Sequence, residues 1–275
     1  MVTVMRTTLI WVAVTALLST SAQAGDAALL ETLSAAAESE HRAADHRVRN
    51  ATRHPAATLA FFGIRDDMTV VELSPGGGWY TEILAPFLRD KGKLYAANYD
   101  LESEFEYYRR NAKNFLAKLA ADPARYDRVI ATTFDPPEKL TAAPPGSADL
   151  VLTFRNLHNW MDEGSVDAAF SAMHTVLKPG GILGIVQHRQ APATAQDPKA
   201  ESGYVREDYV IALAEAAGFT LVASSEVNAN PKDTKDYPEG VWTLPPTFEL
   251  DDVDRDKYRA IGESDRMTLK FIRSP

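Results

Sequence analysis

Val70-Val71-Glu72-Leu73-Ser74-Pro75-Gly76-Gly77-Gly78-Trp79-Tyr80-Thr81 is the stretch on which the reading of this chain turns. An apolar run over 68–73 predicts a buried strand, three glycines follow, and a helix is predicted from Trp79 to Leu88. Glycines between a strand and a helix permit a tight bend and let a ligand approach the backbone. In parallel sheets, ligands bind outside the carboxyl ends of the strands, where this turn would lie. A nicotinamide fingerprint, G-x-G-x-x-G, fails in both frames: one reads Ser74, Gly76, Trp79 and the other Gly76, Gly78, Thr81. The Gly-Lys-Ser/Thr of a phosphate-cradling loop is missing too. Glu72 at the strand end suits a ligand carrying an ammonium or sulfonium group better than a pyrophosphate. A plain structural turn is the competing reading.

Outward from this turn, apolar runs alternate with helical patterns. Strands are expected at 68–73, 93–98, 128–133, 148–154, 182–187, 220–227 and 267–272. Helices are expected at 55–62, 79–88, 102–119, about 166–177 and about 209–217, the fourth broken by Pro179-Gly180-Gly181. This alternation predicts an α/β fold, a doubly wound, mostly parallel seven-stranded sheet with helices on both faces. Val70-Val71, Val129-Ile130 and Leu150-Val151-Leu152 are continuous apolar runs, as in strands buried on both faces. Residues 26–52 read as one or two helices. The polar stretch 189–204 and the Pro-, Asp- and aromatic-rich stretch 228–264 break the rhythm, and such loops serve as lids or substrate walls or are disordered.

Residues 1–24 combine a basic head at Arg6, an apolar run from about Leu9 to Leu18 and Ala22-Gln23-Ala24. That is the form of a secretory signal peptide, and the apolar run is short of the roughly 20 residues a bilayer span needs. The expected division is therefore 1–24 signal peptide, 25–54 helical extension and 55–275 one domain with an inserted loop region at about 228–264. The expected location is exported and periplasmic, with no membrane span after cleavage. The 275 residues carry a formal net charge of −9, 45% hydrophobic residues and no cysteine. This composition excludes a disulfide-stapled mini-domain, a thiolate metal site and a thiol nucleophile. The acidic balance argues against a nucleic-acid partner.

The glycine-rich turn resembles the first motif of the class I S-adenosylmethionine-dependent methyltransferases, an acidic residue followed by Gly-x-Gly-x-Gly, with Ser74 in place of the first glycine. Ser147-Ala148-Asp149-Leu150-Val151-Leu152 leading into Asn156-Leu157-His158-Asn159-Trp160 resembles the family's fourth motif. Leu177-Lys178-Pro179-Gly180-Gly181-Ile182-Leu183 resembles the turn before its fifth strand. The likeness spans roughly 55–227 and is nearest to a subgroup of exported bacterial methyltransferases with Arg49…Arg53-x-Pro55 before the first strand. The resemblance implies a Rossmann-like methyltransferase fold and S-adenosylmethionine as cofactor. It implies a donor site made by Glu72, Ser74, Gly76, Gly78, Asn98, Asp135 and Asn156. Asn98 stands where the family has an acidic residue for the ribose hydroxyls, with Asp100 as an alternative. Asp135 stands near the expected adenine, or belongs only to an Asp-Pro-Pro turn.

A sulfonium donor is already activated, so positioning supplies much of the rate, and a base is needed only if the acceptor holds its proton. His158 is the first choice for that base or for orienting the acceptor; the alternative is a histidine bonded to nearby backbone. Arg155 either holds an anionic acceptor or pairs with Glu72 or Asp149. His188-Arg189, Tyr204 and Trp242 are further candidates for the active face. His41, Asp45 and His46 recur at helical spacing and are read as a solvated face. No H-E-x-x-H pattern occurs, so no metal is expected, and no G-x-S-x-G elbow occurs. The expected activity is methyl transfer to a small-molecule or envelope acceptor. The alternative is a non-catalytic periplasmic binding or interaction protein that retains the fold.

Overall fold

The computed structural model describes residues 25–274, so the signal-peptide expectation for 1–24 lies outside the described residues. Residues 25–38 form helix α1, followed by α2 (Ala44–Val48), α3 (Asn50–Arg53) and α4 (Pro55–Phe62). Pro55 sits in the first turn of α4, where its missing N–H costs nothing, and Gly63 ends that helix in the left-handed conformation at φ +80°. The α/β unit follows as β1 (Thr69–Leu73), α5 (Thr81–Leu88), β2 (Lys93–Asn98), α6 (Glu106–Ala121), α7 (Pro123–Tyr126), β3 (Val129–Thr133) and β4 (Ala148–Phe154). Then come α8 (Leu157–Asp162), α9 (Val166–Val176), β5 (Leu177–His188), α10 (Glu207–Ala216), β6 (Phe219–Ser225), α11 (Arg255–Ile261) and β7 (Arg266–Arg273).

The seven strands form one sheet in the order β3-β2-β1-β4-β5-β7-β6. β1 to β5 are parallel, and β7 runs antiparallel between β5 and β6. Side chains alternate between the two faces, as the strand period of two requires. Val70, Leu94, Leu150 and Leu152 pack under α1, α4 and α5. Val71, Val151, Leu183 and Ile185 pack under α8, α9 and α10. The strand order reverses between β1 and β4, and a crevice opens at such a switch point outside the carboxyl ends of the strands.

Two sequence expectations need correction. The Val129-Ile130 run is not buried on both faces: β3 is an edge strand, and Ile130 is 37% exposed. A short apolar run has the same composition at an edge as at a centre. The Pro179-Gly180-Gly181 stretch is a kinked lead-in to β5 rather than a gap before it. Leu177 already pairs with Ala148, a register shift follows, and Gly180 takes up the bend at φ +77°.

Candidate functional site

The loop after β1 is pinned from four sides. Ser74 N–H donates to Ala97 O on β2 (2.8 Å), and Asn98 Nδ2 donates to Gly76 O (3.0 Å). Lys118 Nζ donates to Gly77 O (2.9 Å), and Trp79 Nε1 donates to His46 O (3.1 Å). From β4, Asn156 Nδ2 donates to Leu73 O and Thr153 Oγ1, both at 3.1 Å, which ties the two strand ends together at the switch point. Ser74 sits at φ +47°, in the region glycine favours, so the position where the family has glycine keeps glycine's backbone conformation. Gly76 and Gly77 have open space where a Cβ would stand.

These groups border a cavity of about 450 Å³. Its floor is Ser74, Pro75, Gly76 and Gly77 from the β1 loop with Phe154, Arg155, Asn156, His158 and Asn159 from the end of β4. His46 from α2, Arg49 from the turn after it and Arg53 from α3 form one wall, with Trp79 beside them. His188 at the end of β5, and Val241, Trp242, Pro245, Pro246, Thr247, Glu263 and Ser264 from the segment between β6 and β7, form the opposite wall.

Of the residues expected to act, His158, Arg155, Ser74, Gly76 and Asn156 come together on this cavity. Glu72, Gly78, Asn98 and Asp135 do not border it. Glu72 is buried behind the turn, where Thr81 Oγ1 donates to its Oε2 at 2.6 Å. Burial pushes its carboxyl up to about 7, against the pull of Thr81 and of the Lys118 charge. Gly78 is packed so closely that an added Cβ would meet Phe115 at 3.0 Å. Asn98 borders a neighbouring cavity of about 110 Å³, and Tyr99 faces both cavities. Asp135 is bridged through its backbone to Lys139; burial and the nearby Asp100 raise its pKa.

The chemistry of the floor is set by burial. His158 Nδ1 lies 3.1 Å from Gln187 Nε2, and that amide also donates to Gly203 O at 3.0 Å. A carbonyl can only accept, so the Gln187 amide nitrogen is the donor to both, and Nδ1 of His158 is an acceptor. The neutral ring then carries its proton on Nε2. Burial pushes the His158 pKa down to about 4, aided by the Arg155 charge. His188 lies with its ring centroid 5.5 Å from that of His158, and its Nδ1 shares a hydrogen bond with Ser264 Oγ. Burial first, then the charges around it, hold His188 well below its ordinary value. Both imidazoles are thus neutral at pH 7. Arg155 stands at φ +64°, and its side chain has no hydrogen-bond or ion-pair partner among the described residues. It pairs with neither Glu72 nor Asp149, whose partners are Thr81 for the first and Thr69 and Lys178 for the second. Burial and the nearby Arg266 lower its pKa to about 10, so it remains a cation at pH 7.

The wall made by α2 and α3 was not assigned to the site from sequence. His41 and His46 are not a solvated face: His41 Nε2 meets Glu82 O at 3.0 Å, and His46 Nδ1 meets Glu82 Oε2 at 2.9 Å. Arg42 and Arg53 lie against the Trp79 ring, 4.6 and 4.9 Å from its centroid. The signal available was the spacing of His46, Arg49 and Arg53, which puts all three on one helical face. Glu263, which accepts from Arg49 Nε (2.7 Å), Arg53 Nε (3.0 Å) and Arg266 Nη1 (3.1 Å), had no such signal. Tyr204 is buried with its hydroxyl on Asp233, while Trp242 borders the cavity. Among the described residues, no group of three or more His, Asp or Glu side chains is placed to hold a metal ion.

Residues 71–185 match the family model described as a methyltransferase domain. No curated protein matches the chain. Among solved structures the chain is similar to a SAM-dependent methyltransferase from Aquifex aeolicus, at 17% identity and a TM-score of 0.55, covering 82% of this chain and 92% of the other. It is similar to the [4+2]-cyclase SpnF at 16% identity and a TM-score of 0.53, covering 86% and 85%. It is also similar to a possible exported protein from Bordetella parapertussis at 16% identity and a TM-score of 0.50, covering 81% and 67%. The chain therefore has the Rossmann-like methyltransferase fold, with a methyltransferase-domain match running from β1 into β5.

Proposed function

We propose that the chain transfers a methyl group from S-adenosylmethionine to an acceptor held in the cavity at the β1/β4 switch point. The observation that carries the reading is the loop after β1. Gly76 and Gly77 face open space there, while beside them Ser74 Oγ and Asn98 Oδ1 are buried without a partner among the described residues. Buried polar atoms seldom stay unpaired in a native protein, so both fit a ligand that brings hydroxyl or amino groups to the loop. The methyltransferase-domain match and the likeness to a SAM-dependent methyltransferase support S-adenosylmethionine as the cofactor.

Bound there, S-adenosylmethionine supplies a methyl group on a sulfonium, so the protein has only to align the acceptor and manage its proton. The Gly76–Gly77 backbone would cradle the donor and Asn98 Oδ1 would accept from a ribose hydroxyl, while Glu72, its carboxyl raised to about 7 by burial, lies behind the turn and holds it through Thr81. His158 presents Nε2–H and orients the acceptor through it, with Gln187 holding the ring. His188 keeps Nε2 free of protein partners among the described residues, within reach of the same cavity. The acceptor is a small molecule or an envelope component, and the pattern of residues 1–24 supports export to the periplasm. Among the described residues no helix is long and apolar enough to cross a membrane.

A non-catalytic binding protein is the second reading, favoured by Asn98, which holds Gly76 O where the family offers a carboxylate. Calorimetric titration of the chain from Gly25 onward with S-adenosylmethionine and S-adenosylhomocysteine separates the two. Micromolar binding that disappears in Glu72→Ala, with near-UV circular dichroism unchanged, is the expected result. No binding of either ligand by folded protein sinks methyl transfer and leaves the second reading.

A further inference from the structure

We propose that the acceptor is an anion and that Arg155, together with Arg49, forms the seat for its oxygens. This rests on reading the cavity as the acceptor site. Arg49, Arg53 and Arg155 border the cavity, and Glu263 is the one carboxylate among its described lining residues. That carboxylate is already shared by Arg49, Arg53 and Arg266. Among the described residues the Arg155 side chain has no partner, and Nη2 of Arg49 is buried without one. With His158 and His188 neutral, the three arginines against one carboxylate still leave the cavity a surplus of positive charge. An anion with two oxygens is the chemistry that satisfies planar guanidinium donors in pairs.

Two further observations agree. Arg155 holds a left-handed backbone that disfavours any residue with a Cβ, at the position where β4 hands over to α8. Strain of this kind persists where surrounding structure imposes it, and it clusters at ligand sites. Trp79, Phe154 and Trp242 also line the cavity, so the body attached to the anion is one with an apolar, flat part to lie against them. The acceptor class is therefore an aromatic or similarly apolar acid, a carboxylate or a phosphate ester.

The test uses three probes of one shape: benzoate, phenyl phosphate and neutral benzamide. Each is titrated into the chain from Gly25 onward by calorimetry and by quenching of tryptophan fluorescence. At least one of the two anions binds about tenfold or more tighter than benzamide, the size of one charge-assisted hydrogen bond. The tighter of the two identifies the oxyanion. Arg155→Met and Arg49→Met each remove that preference, and Arg65→Met, exposed on the far side with Asp67, leaves it in place. Equal binding of all three probes, no binding of either anion, or an unchanged preference in Arg155→Met overturns the proposal. A rival role, holding the donor's own carboxylate, has its own signature. In that case Arg155→Met weakens S-adenosylhomocysteine but leaves 5′-methylthioadenosine, which lacks the carboxylate, unchanged, and the proposal falls. If the anion preference stands while S-adenosylhomocysteine fails to bind the wild type, methyl transfer fails and the anion seat survives it.

Discussion

Glu82 is the buried carboxylate through which the N-terminal helices grip the sheet, and replacing it by glutamine should loosen that grip measurably. Glu82 is 2% exposed in the first turn of α5. It accepts from Arg42 Nε (3.2 Å) and His46 Nδ1 (2.9 Å), and from Lys118 on α6. Burial alone would raise its pKa, but the His46 and Lys118 hydrogen bonds and the Lys118 charge pull it from 4.5 down to about 2. At about 1.36 kcal/mol per unit, the ionised carboxylate contributes about 3 kcal/mol of stability at neutral pH. Glu82→Gln also leaves Arg42 a buried cation without its carboxylate, and breaking such a pair costs about 3–5 kcal/mol. For a chain of this size, a loss of about 3 kcal/mol lowers the thermal midpoint by roughly 6–12 °C. The pH dependence has a definite sign. The folded pKa lies below the unfolded one, so the contribution is complete above about pH 4.5 and fades as pH falls toward 2. Urea unfolding of wild type and variant should show the full gap at pH 7 and a closing gap below pH 4.5. Limited proteolysis should cut the variant first within residues 25–54. A gap under about 1 kcal/mol at pH 7, or one that does not change with pH, would refute the assignment of Glu82 as the anchor.

Glu72 should behave in the opposite sense. Its folded pKa of about 7 lies above the ordinary 4.5, so wild type loses stability as pH rises from about 4.5 to 7. Glu72→Gln lacks that loss and should unfold at a higher urea concentration than wild type at pH 8 and at the same one at pH 4; parallel curves contradict this. Ser74→Gly relieves the φ +47° backbone, worth about 1–2 kcal/mol, less the roughly 0.5–1 kcal/mol of added chain entropy in the unfolded state. The thermal midpoint of ligand-free protein should rise by a few degrees; a fall would show that Ser74 Oγ makes a stabilising contact within the protein. Gly184→Ala puts a Cβ 2.7 Å from Phe62 and 2.8 Å from Leu152. Overpacking of this kind costs about 1–3 kcal/mol, read as a lower urea midpoint, and an unchanged midpoint would mean that α4 shifts freely.

The sheet was legible because its strands advertise themselves: continuous apolar runs at Val70-Val71 and Leu150-Val151-Leu152 mark strands covered on both faces, and both are. The glycine-rich turn was legible for the same local reason, since strand, glycines and helix follow one another in sequence. What local pattern cannot express is which charges meet across the fold. Glu82 has the composition of an exposed helix residue, yet Arg42, Lys118 and the His46 ring, 36 to 40 residues away, converge on it. Arg155 looks equally ready to pair with Glu72, and only packing shows that Thr81 takes that carboxylate. Gln187 fixes the tautomer of His158 from a neighbouring strand, a fact no spacing rule contains. The short helices α8 and α11 escaped notice because six or seven residues give too few repeats to establish a period.

Among the described residues β6 is hydrogen-bonded within the sheet to β7 alone, and β7 reaches the parallel strands through β5. Residues 266–273 are thus a wedge: they leave the ribosome after β6 yet must enter between it and the rest of the sheet. Glu263 and Ser264 are drawn onto the cavity by the same insertion, because they lead directly into that strand. A nascent or clipped molecule can therefore hold a finished glycine-rich turn and still lack a finished pocket. A chain stopped short of β7 is therefore expected to lose the Glu263–Ser264 side of the cavity, which titration of such a truncated chain against the complete one would read as weaker binding.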